Sequence, residues 1–181
     1  MHPVEQAVRQ WLDAVVIGLN LCPFAAHPLR NGSLQLRVSD ARDEAALYDE
    51  LRAALQEMDE VPATQMDTLI IAIPQLLGSF DEYNDFLQQA DGLLRRQGWE
   101  GVYQIASFHP RYRFEGSHAD DVSNYTNRSP YPLLHVLRED SVAAAVARHP
   151  DAEGIPSRNI RTMEALSPAQ RRALAAWSAP D

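Results

Sequence analysis

The stretch Thr68-Leu-Ile-Ile-Ala-Ile73 is an apolar run of strand length near the middle of the chain. A continuous run of this kind is typical of a strand that is buried on both faces of a sheet. Residues 33–38 show a different pattern, in which apolar and polar residues alternate as in a half-buried strand. Residues 102–108 are also strand-like. The sequence therefore predicts three strands.

Helical patterns surround these strands. Apolar residues recur at three-to-four spacing in residues 3–19, after a cap at Ser39 or Asp40, and again after Ser79, which has capping-box spacing to Glu82. The order strand–helix–strand–helix–strand favours parallel pairing through right-handed crossovers. We therefore expect an α/β (or α+β) fold, with a small sheet of parallel strands from a βαβαβ core and helices on both faces.

The C-terminal part of the chain is predicted to be helical from about Pro130 onward. Leu133, Val136 and Leu137 have helical spacing, and Ser129 would cap that helix. Further helical pieces are predicted at residues 141–148, 156–166 and 168–177. The chain has no linker-like stretch, so we expect residues 1–181 to form a single globular domain.

Composition and charge exclude several classes of function. The net charge of −9 disfavours non-specific attraction to nucleic acid or to an anionic membrane surface. All sixteen basic residues are arginine, which excludes lysine Schiff bases, a pyridoxal-phosphate linkage and a P-loop lysine. No apolar run is long enough to span a membrane, one cysteine cannot form an internal disulfide, and no basic leader precedes the first apolar run. We therefore expect a cytoplasmic protein, of an oligomeric state that the sequence does not indicate.

The polar residues with chemical potential are concentrated in residues 107–139, where the third predicted strand ends. Ligands of open parallel sheets bind beyond the carboxyl ends of the strands. A long irregular connection within a compact domain is either functional or wrongly assigned. The aromatic residues between the polar ones indicate an ordered loop that packs on the rest of the domain. The position and the composition together predict a small-molecule enzyme with its site beyond this strand.

His109 is the predicted acid–base residue of that site, because it follows the strand directly and titrates near neutral pH. Asp121 would orient it or act beside it. The alternative is that His109 only forms a hydrogen bond with a backbone carbonyl group.

Five residues are candidates for binding an anionic substrate group. Arg128 would clamp a carboxylate or phosphate, with Asn127 beside it. Asn124, Tyr112 and Arg138 are the further predicted contacts. The alternative is that the asparagine and arginine side chains only satisfy carbonyl groups of the loop.

Two further catalytic candidates are His135 and Cys22. On the predicted helix, His135 shares a face with Arg138 and Glu139, and this face would line the site or be ordinary surface. Cys22 would be a nucleophile with a histidine as its base. Its position after the first helix and its apolar neighbours favour a small buried hydrophobic residue instead.

Two other classes of function compete with this hypothesis. A first-row divalent metal could be bound by His109, His118, Asp121 (or Asp120) and His135, although their spacing matches no compact ligand motif. The protein could also be a non-catalytic module that binds a metabolite or a partner protein. The sequence names no cofactor.

Several motifs resemble those of a known family. They are Asn20-Leu-Cys-Pro-Phe-Ala, Ser107-Phe-His-Pro with Phe114-Glu-Gly, and Asn127-Arg-Ser-Pro-Tyr-Pro through His135 to Arg138-Glu139. Together they look like the bacterial domain-of-unknown-function 1415 family. The resemblance covers most of the chain, and it implies a bacterial origin and a stand-alone domain. It implies no activity.

Overall fold

A computed structural model describes residues 1–178. The helices are α1 (Pro3–Trp11, continued by a π-helical segment Leu12–Ile17), α2 (Ala26–Asn31), α3 (Glu44–Glu60), α4 (Phe80–Gln97), α5 (Glu139–Arg148), α6 (Ile155–Glu164) and α7 (Pro168–Trp177). The strands are β1 (Leu34–Val38), β2 (Thr68–Ala72), β3 (Tyr103–Phe108) and β4 (Leu133–Arg138), and a 3-10 helix covers Val122–Thr126. The helical C-terminal region is thus confirmed. A single domain over residues 1–181 stays a prediction, and residues 179–181 lie outside the described part.

The sheet is mixed, with the strand order β1-β2-β4-β3. β1 and β2 are parallel, as predicted. β4 lies antiparallel to both β2 and β3. The three predicted strands therefore run in one direction, but β3 pairs with β4 instead of with β2. The fold is α+β, and helices cover both faces of the sheet.

The predicted helix after Pro130 is wrong, because Leu133–Arg138 is the inner strand β4. Short apolar runs fit a helix and a buried strand equally well, and here the pairing with two neighbouring strands decides the outcome. Ser129 caps no helix, and its hydroxyl group donates to the carbonyl oxygen of Tyr131 at 2.6 Å. The shared helix face of His135, Arg138 and Glu139 does not exist, since successive side chains of a strand alternate between its faces.

Two apolar layers hold the helices to the sheet. On one face, α3 and α4 pack against Leu69, Ile71 and Val136. On the other face, α1, α6 and α7 pack against Ile70 and Leu133. β2 contributes to both layers, which explains its continuous apolar sequence.

Local capping interactions position the two helices between the strands. Ser79 and Glu82 form the predicted capping box at the start of α4. The cap of α3 is Asp43, whose carboxylate accepts from the backbone N–H of Ala46 at 2.8 Å, and not the predicted Ser39 or Asp40. Among residues 1–178, no helix combines the length and the apolar character that a membrane crossing requires.

Candidate functional site

The connection from β3 to β4 contains most of the residues that the sequence singles out, and we call residues 109–128 the polar loop. Its two ends are tied together. The backbone N–H of His109 donates to the carbonyl oxygen of Asn127 at 3.2 Å. The Nδ2 atom of Asn127 donates to the carbonyl oxygen of Ser107 at 3.1 Å. The polar loop is therefore an ordered structure closed at its base.

His109 is buried at the start of the polar loop, and only 1% of its surface is exposed. Its Nε2 atom donates to the carbonyl oxygen of Leu77 at 2.9 Å, and its Nδ1 atom accepts from the backbone N–H of Arg111 at 2.9 Å. Burial lowers the pKa of His109. Both ring nitrogens thus serve the backbone, and an acid–base role stays a prediction that requires one of these bonds to break.

The hydrogen bond between His109 and Leu77 accounts for an unusual backbone conformation at Leu77. Leu77 has φ 58°, in the left-handed region that residues with a side chain rarely adopt. The hydrogen bond from His109 holds the carbonyl group of Leu77 just before α4. The imidazole of His109 also packs against the ring of Tyr83, with 5.1 Å between the ring centres. His109 therefore connects the start of the polar loop to the entry of α4.

Asn124 is fully buried at the centre of the polar loop. Its Oδ1 atom accepts from the backbone N–H of Phe114 at 3.0 Å and from the hydroxyl group of Ser117 at 2.8 Å. Its Nδ2 atom donates to the carbonyl oxygen of His118 at 2.8 Å. These contacts use most of its hydrogen-bonding capacity within the loop, and a contact between Asn124 and a substrate stays a prediction.

Arg128 also holds the polar loop from within. Its Nε atom donates to the carbonyl oxygen of Tyr112 at 3.2 Å, and its Nη2 atom donates to that of Ala119 at 2.6 Å. The guanidinium lies 4.4 Å from the centre of the Tyr125 ring, a favourable cation–π distance. The guanidinium of Arg128 therefore already has three partners within the loop. Its predicted binding of an anionic substrate group stays a prediction.

Asp121 is exposed and caps the 3-10 helix Val122–Thr126. Its carboxylate accepts from the backbone N–H of Ser123 at 2.9 Å, and this bond lowers the pKa of Asp121. No hydrogen bond within residues 1–178 joins it to His109. A catalytic role of Asp121 beside His109 therefore stays a prediction.

Arg138 lies at the end of β4 and binds the C-terminal end of α3. Its guanidinium donates to the carbonyl oxygens of Met58, of Val61 at 2.8 Å and of Met66 at 3.0 Å. It also lies 5.6 Å from the ring centre of Tyr103. Cationic groups are favourable at a helix C-terminus, so these contacts give Arg138 a structural role, and its contact with a substrate stays a prediction.

A cavity of about 690 Å³ lies over the face of the sheet that α1 covers, and we call it the sheet cavity. Strands β2, β3 and β4 contribute its floor through Thr68, Ala106, Phe108, His135 and Leu137. Its walls come from residues 22–28 and from α5. Phe108 and Thr68 lie at opposite ends of their parallel strands, so the cavity extends along the sheet away from the polar loop.

His135 is the titratable residue on the floor of the sheet cavity. Its Nε2 atom lies 2.5 Å from the hydroxyl oxygen of Thr68, and that hydroxyl group donates to the carbonyl oxygen of Val136 at 2.9 Å. Since the hydroxyl proton is used, Nε2 is the donor and Nδ1 carries the lone pair. Burial lowers the pKa of His135 to about 4, so the ring is neutral at pH 7.

Cys22 lines the same cavity as His135. The thiol is half-buried, and this burial raises the pKa of Cys22. A neutral thiol and a neutral imidazole that line one cavity are not the thiolate–imidazolium pair of cysteine hydrolases. Two of the four predicted catalytic residues thus meet at one cavity, while His109 and Asp121 do not line it.

Two residues that the sequence did not single out also line the sheet cavity. Arg148 is exposed at the end of α5, and its guanidinium has no ion pair or hydrogen bond with residues 1–178. Asp67 immediately precedes β2, and its Oδ1 atom is buried without a hydrogen-bond partner in the same part of the chain. Unused hydrogen-bonding capacity is a three-dimensional property, so no sequence pattern marks these two residues.

A second cavity, of about 600 Å³, lies between the start of α4 and the polar loop, and we call it the loop cavity. Its lining includes Phe80, Asn84, Tyr112 and Arg113. Tyr112 is the one predicted substrate-binding residue found there. It packs against the ring of Phe80 at 5.1 Å.

The residues of the metal alternative are not brought together. Within residues 1–178, no group of three or more histidine, cysteine, aspartate or glutamate side chains has a metal-binding arrangement. His109 packs against α4, whereas His135 lies on the sheet face toward α1, beside Phe108 at 6.2 Å.

Comparison with known proteins identifies one family. A model of the family described as "Protein of unknown function (DUF1415)" matches residues 3–173. No curated protein and no solved structure matches the chain.

Proposed function

The chain belongs to this family of unknown function, and we propose that it binds a small molecule with an apolar body and one anionic group in the sheet cavity. The cavity itself, about 690 Å³ in volume and lined by His135 and Cys22, is the observation that carries the proposal. Its volume lies within the range of small-molecule sites, which are mostly apolar with a few polar groups.

The structure of α5 supports an apolar ligand body. None of the residues of α5 is buried, although Val142, Ala144 and Ala145 face the sheet cavity. Leu137 and Phe108 add apolar surface from the sheet. A bound apolar group would remove this surface from water, which is the main favourable term in such binding.

Arg148 supports an anionic group on the ligand. It is exposed at the edge of the sheet cavity, and its charge is not neutralised by an ion pair within the described chain. An arginine can bind a carboxylate or phosphate through two parallel hydrogen bonds. The protein as a whole carries a net charge of −9, so attraction for an anion must come from a local group of this kind.

The predicted enzyme that acts on an anionic substrate is a narrower form of this proposal. A reaction in the sheet cavity would use His135 as its acid–base group. The Nδ1 atom of His135 has no hydrogen bond to residues 1–178, whereas both ring nitrogens of His109 are bonded to the backbone. General acid–base catalysis requires such an available nitrogen at the reacting group.

The loop cavity is the second candidate, because it adjoins the segment in which the sequence places the site. Arg113 lines it and makes no ion pair within residues 1–178. In this version Tyr112 and Arg113 would contact the anionic substrate.

Calorimetric titration with decanoate separates the two candidates. Arg148→Ala should weaken binding about tenfold, since it removes a charge-assisted hydrogen bond. Ala106→Phe should block the sheet cavity and abolish binding. The matched control is Arg172→Ala, which removes an exposed arginine of α7 that lines neither cavity.

The same titration has clear negative outcomes. Unchanged decanoate binding in both Arg148→Ala and Ala106→Phe would refute the sheet cavity as the site, and so would the absence of binding to the wild-type protein for decanoate and for every other straight-chain acid. Weaker binding in Arg113→Ala, with Arg148→Ala unchanged, would instead select the loop cavity. A thermal melt of each variant excludes unfolding as the cause.

A further inference from the structure

The sheet cavity contains two hydrogen-bond acceptors that have no donor within residues 1–178. One is the Nδ1 atom of His135, and the other is the Oδ1 atom of Asp67. Both residues line the cavity. The Oδ1 atom of Asp67 is buried, and buried acceptors in folded proteins nearly always have a donor. The Nδ1 atom of His135 has no hydrogen bond to the described chain and is free to accept one from a ligand.

The acceptor character of His135 is fixed by its neighbours. The hydroxyl group of Thr68 donates to the carbonyl oxygen of Val136, so it can only accept from the Nε2 atom of His135. With the proton held on Nε2, the Nδ1 atom presents a lone pair. Thr68 is buried, which prevents water from replacing this arrangement easily.

His135 and Arg148 lie in different parts of the sheet cavity. His135 lies on the floor beside Thr68, which is 4% exposed, whereas Arg148 is exposed at the end of α5. His135 therefore offers an acceptor on the floor, and Arg148 offers a cationic donor at the edge. A ligand that binds both residues must carry a hydrogen-bond donor for His135 at one end of its apolar part and an anionic acceptor for Arg148 at the other end.

We propose that the sheet cavity selects acids that carry a second polar group, a hydroxyl or amino group, which donates a hydrogen bond to His135 or to Asp67. This inference rests on the proposed function and names its ligand class. An unsubstituted acid binds less well, because its alkyl end covers the Nδ1 atom of His135 without supplying a donor. The carboxylate of Asp67 favours an amino group, while the Nδ1 atom of His135 accepts from either group.

Matched pairs of acids test this selection. Calorimetry compares unsubstituted acids of six, eight and ten carbons with the acids of equal length that carry a terminal hydroxyl or amino group. We expect the substituted acid of the best length to bind about tenfold more tightly than its unsubstituted partner. His135→Phe should remove the advantage of the hydroxyl group, and Asp67→Asn should reduce that of the amino group.

Nitrogen NMR of the wild-type protein gives a readout that a purely structural role of His135 would not change. The hydroxy acid should shift the Nδ1 resonance of His135, and the unsubstituted acid should not. Because this measurement uses the wild-type protein, it tests the hydrogen bond between the ligand and His135 even if His135→Phe does not fold.

The outcomes separate this inference from the proposed function. Equal affinities within every matched pair, together with an unshifted Nδ1 resonance, would refute the selection and leave the binding site intact. Absence of binding for all acids would refute the proposed function as well.

Discussion

The polar loop and the sheet cavity use similar residues in opposite ways. In the polar loop, His109, Asn124 and Arg128 direct their polar atoms to the backbone of the protein itself. In the sheet cavity, His135 and Arg148 retain atoms that no residue of the described chain satisfies. Side-chain type therefore does not distinguish a site from a scaffold in this protein, and hydrogen bonds that remain available do.

This contrast explains the density of polar residues after β3. A loop of this length has many backbone groups that no helix or strand satisfies. The single side chain of Asn124, for example, forms hydrogen bonds with backbone groups of both Phe114 and His118. A polar segment is thus needed to order the connection, independently of any ligand.

The largest expected effect concerns Asn124. Asn124→Ala should lower the free energy of unfolding by about 4 kcal/mol, because three hydrogen bonds are lost at a buried position. Chemical denaturation measures this change, and Asp121→Ala, at an exposed position of the same loop, is the matched control. An effect of Asn124→Ala no larger than that of the control would contradict a scaffolding role for the polar loop.

Stability should also depend on pH through His135. Its pKa falls from 6.5 in the unfolded chain to about 4 in the folded protein. Between these values the unfolded state binds the additional proton, so stability is fully present above pH 6.5 and is lost as the pH falls to 4. The expected loss is about 3 kcal/mol. His109, whose pKa is also lowered, adds a loss of the same sign.

Denaturation at pH 7, 5.5 and 4 measures this dependence. His135→Phe should reduce the dependence to the part contributed by His109, since the variant has no imidazole to protonate at position 135. An identical pH dependence in the variant and the wild-type protein would show that His135 is not buried in the neutral form.

The two arginines should differ in their effect on stability. Arg128→Ala should destabilise the protein by about 2 kcal/mol, because two backbone carbonyl groups and the ring of Tyr125 lose their partner. Arg148→Ala should leave the melting temperature unchanged, since its guanidinium has no partner within residues 1–178. Thermal melts of both variants test this difference. Equal shifts in melting temperature would contradict the view that Arg128 has a structural role and Arg148 does not.

The smallest expected effect concerns Cys22. Its raised pKa leaves little thiolate at pH 7.5, so iodoacetamide should alkylate it several-fold more slowly than free cysteine. Decanoate should slow the reaction further by occupying the sheet cavity. Mass spectrometry follows the modification, and a rate above that of free cysteine would indicate an activated thiol instead.

Much of the fold was predictable from local patterns. The apolar run of β2, the alternation of β1 and the capping box of α4 all depend on neighbouring residues, and the structure confirms each of them. The segment Leu133–Arg138 was not predictable, because its apolar spacing suits a helix and only the neighbouring strands make it a strand. The candidate site was predictable only in part, since Cys22 and His135 were named but their common cavity was not.

The sequence by itself determined the family and the kinds of side chain available for chemistry, and it predicted an α/β or α+β class. It also determined that no lysine is available for catalysis or for ligand binding. The tertiary structure alone decided the strand order, the pairing of His135 with Thr68, and the cavity that joins Cys22 to Arg148. The physical reason is that helix and strand patterns arise from short-range spacing, whereas the satisfaction of a polar atom depends on groups that are distant in the chain.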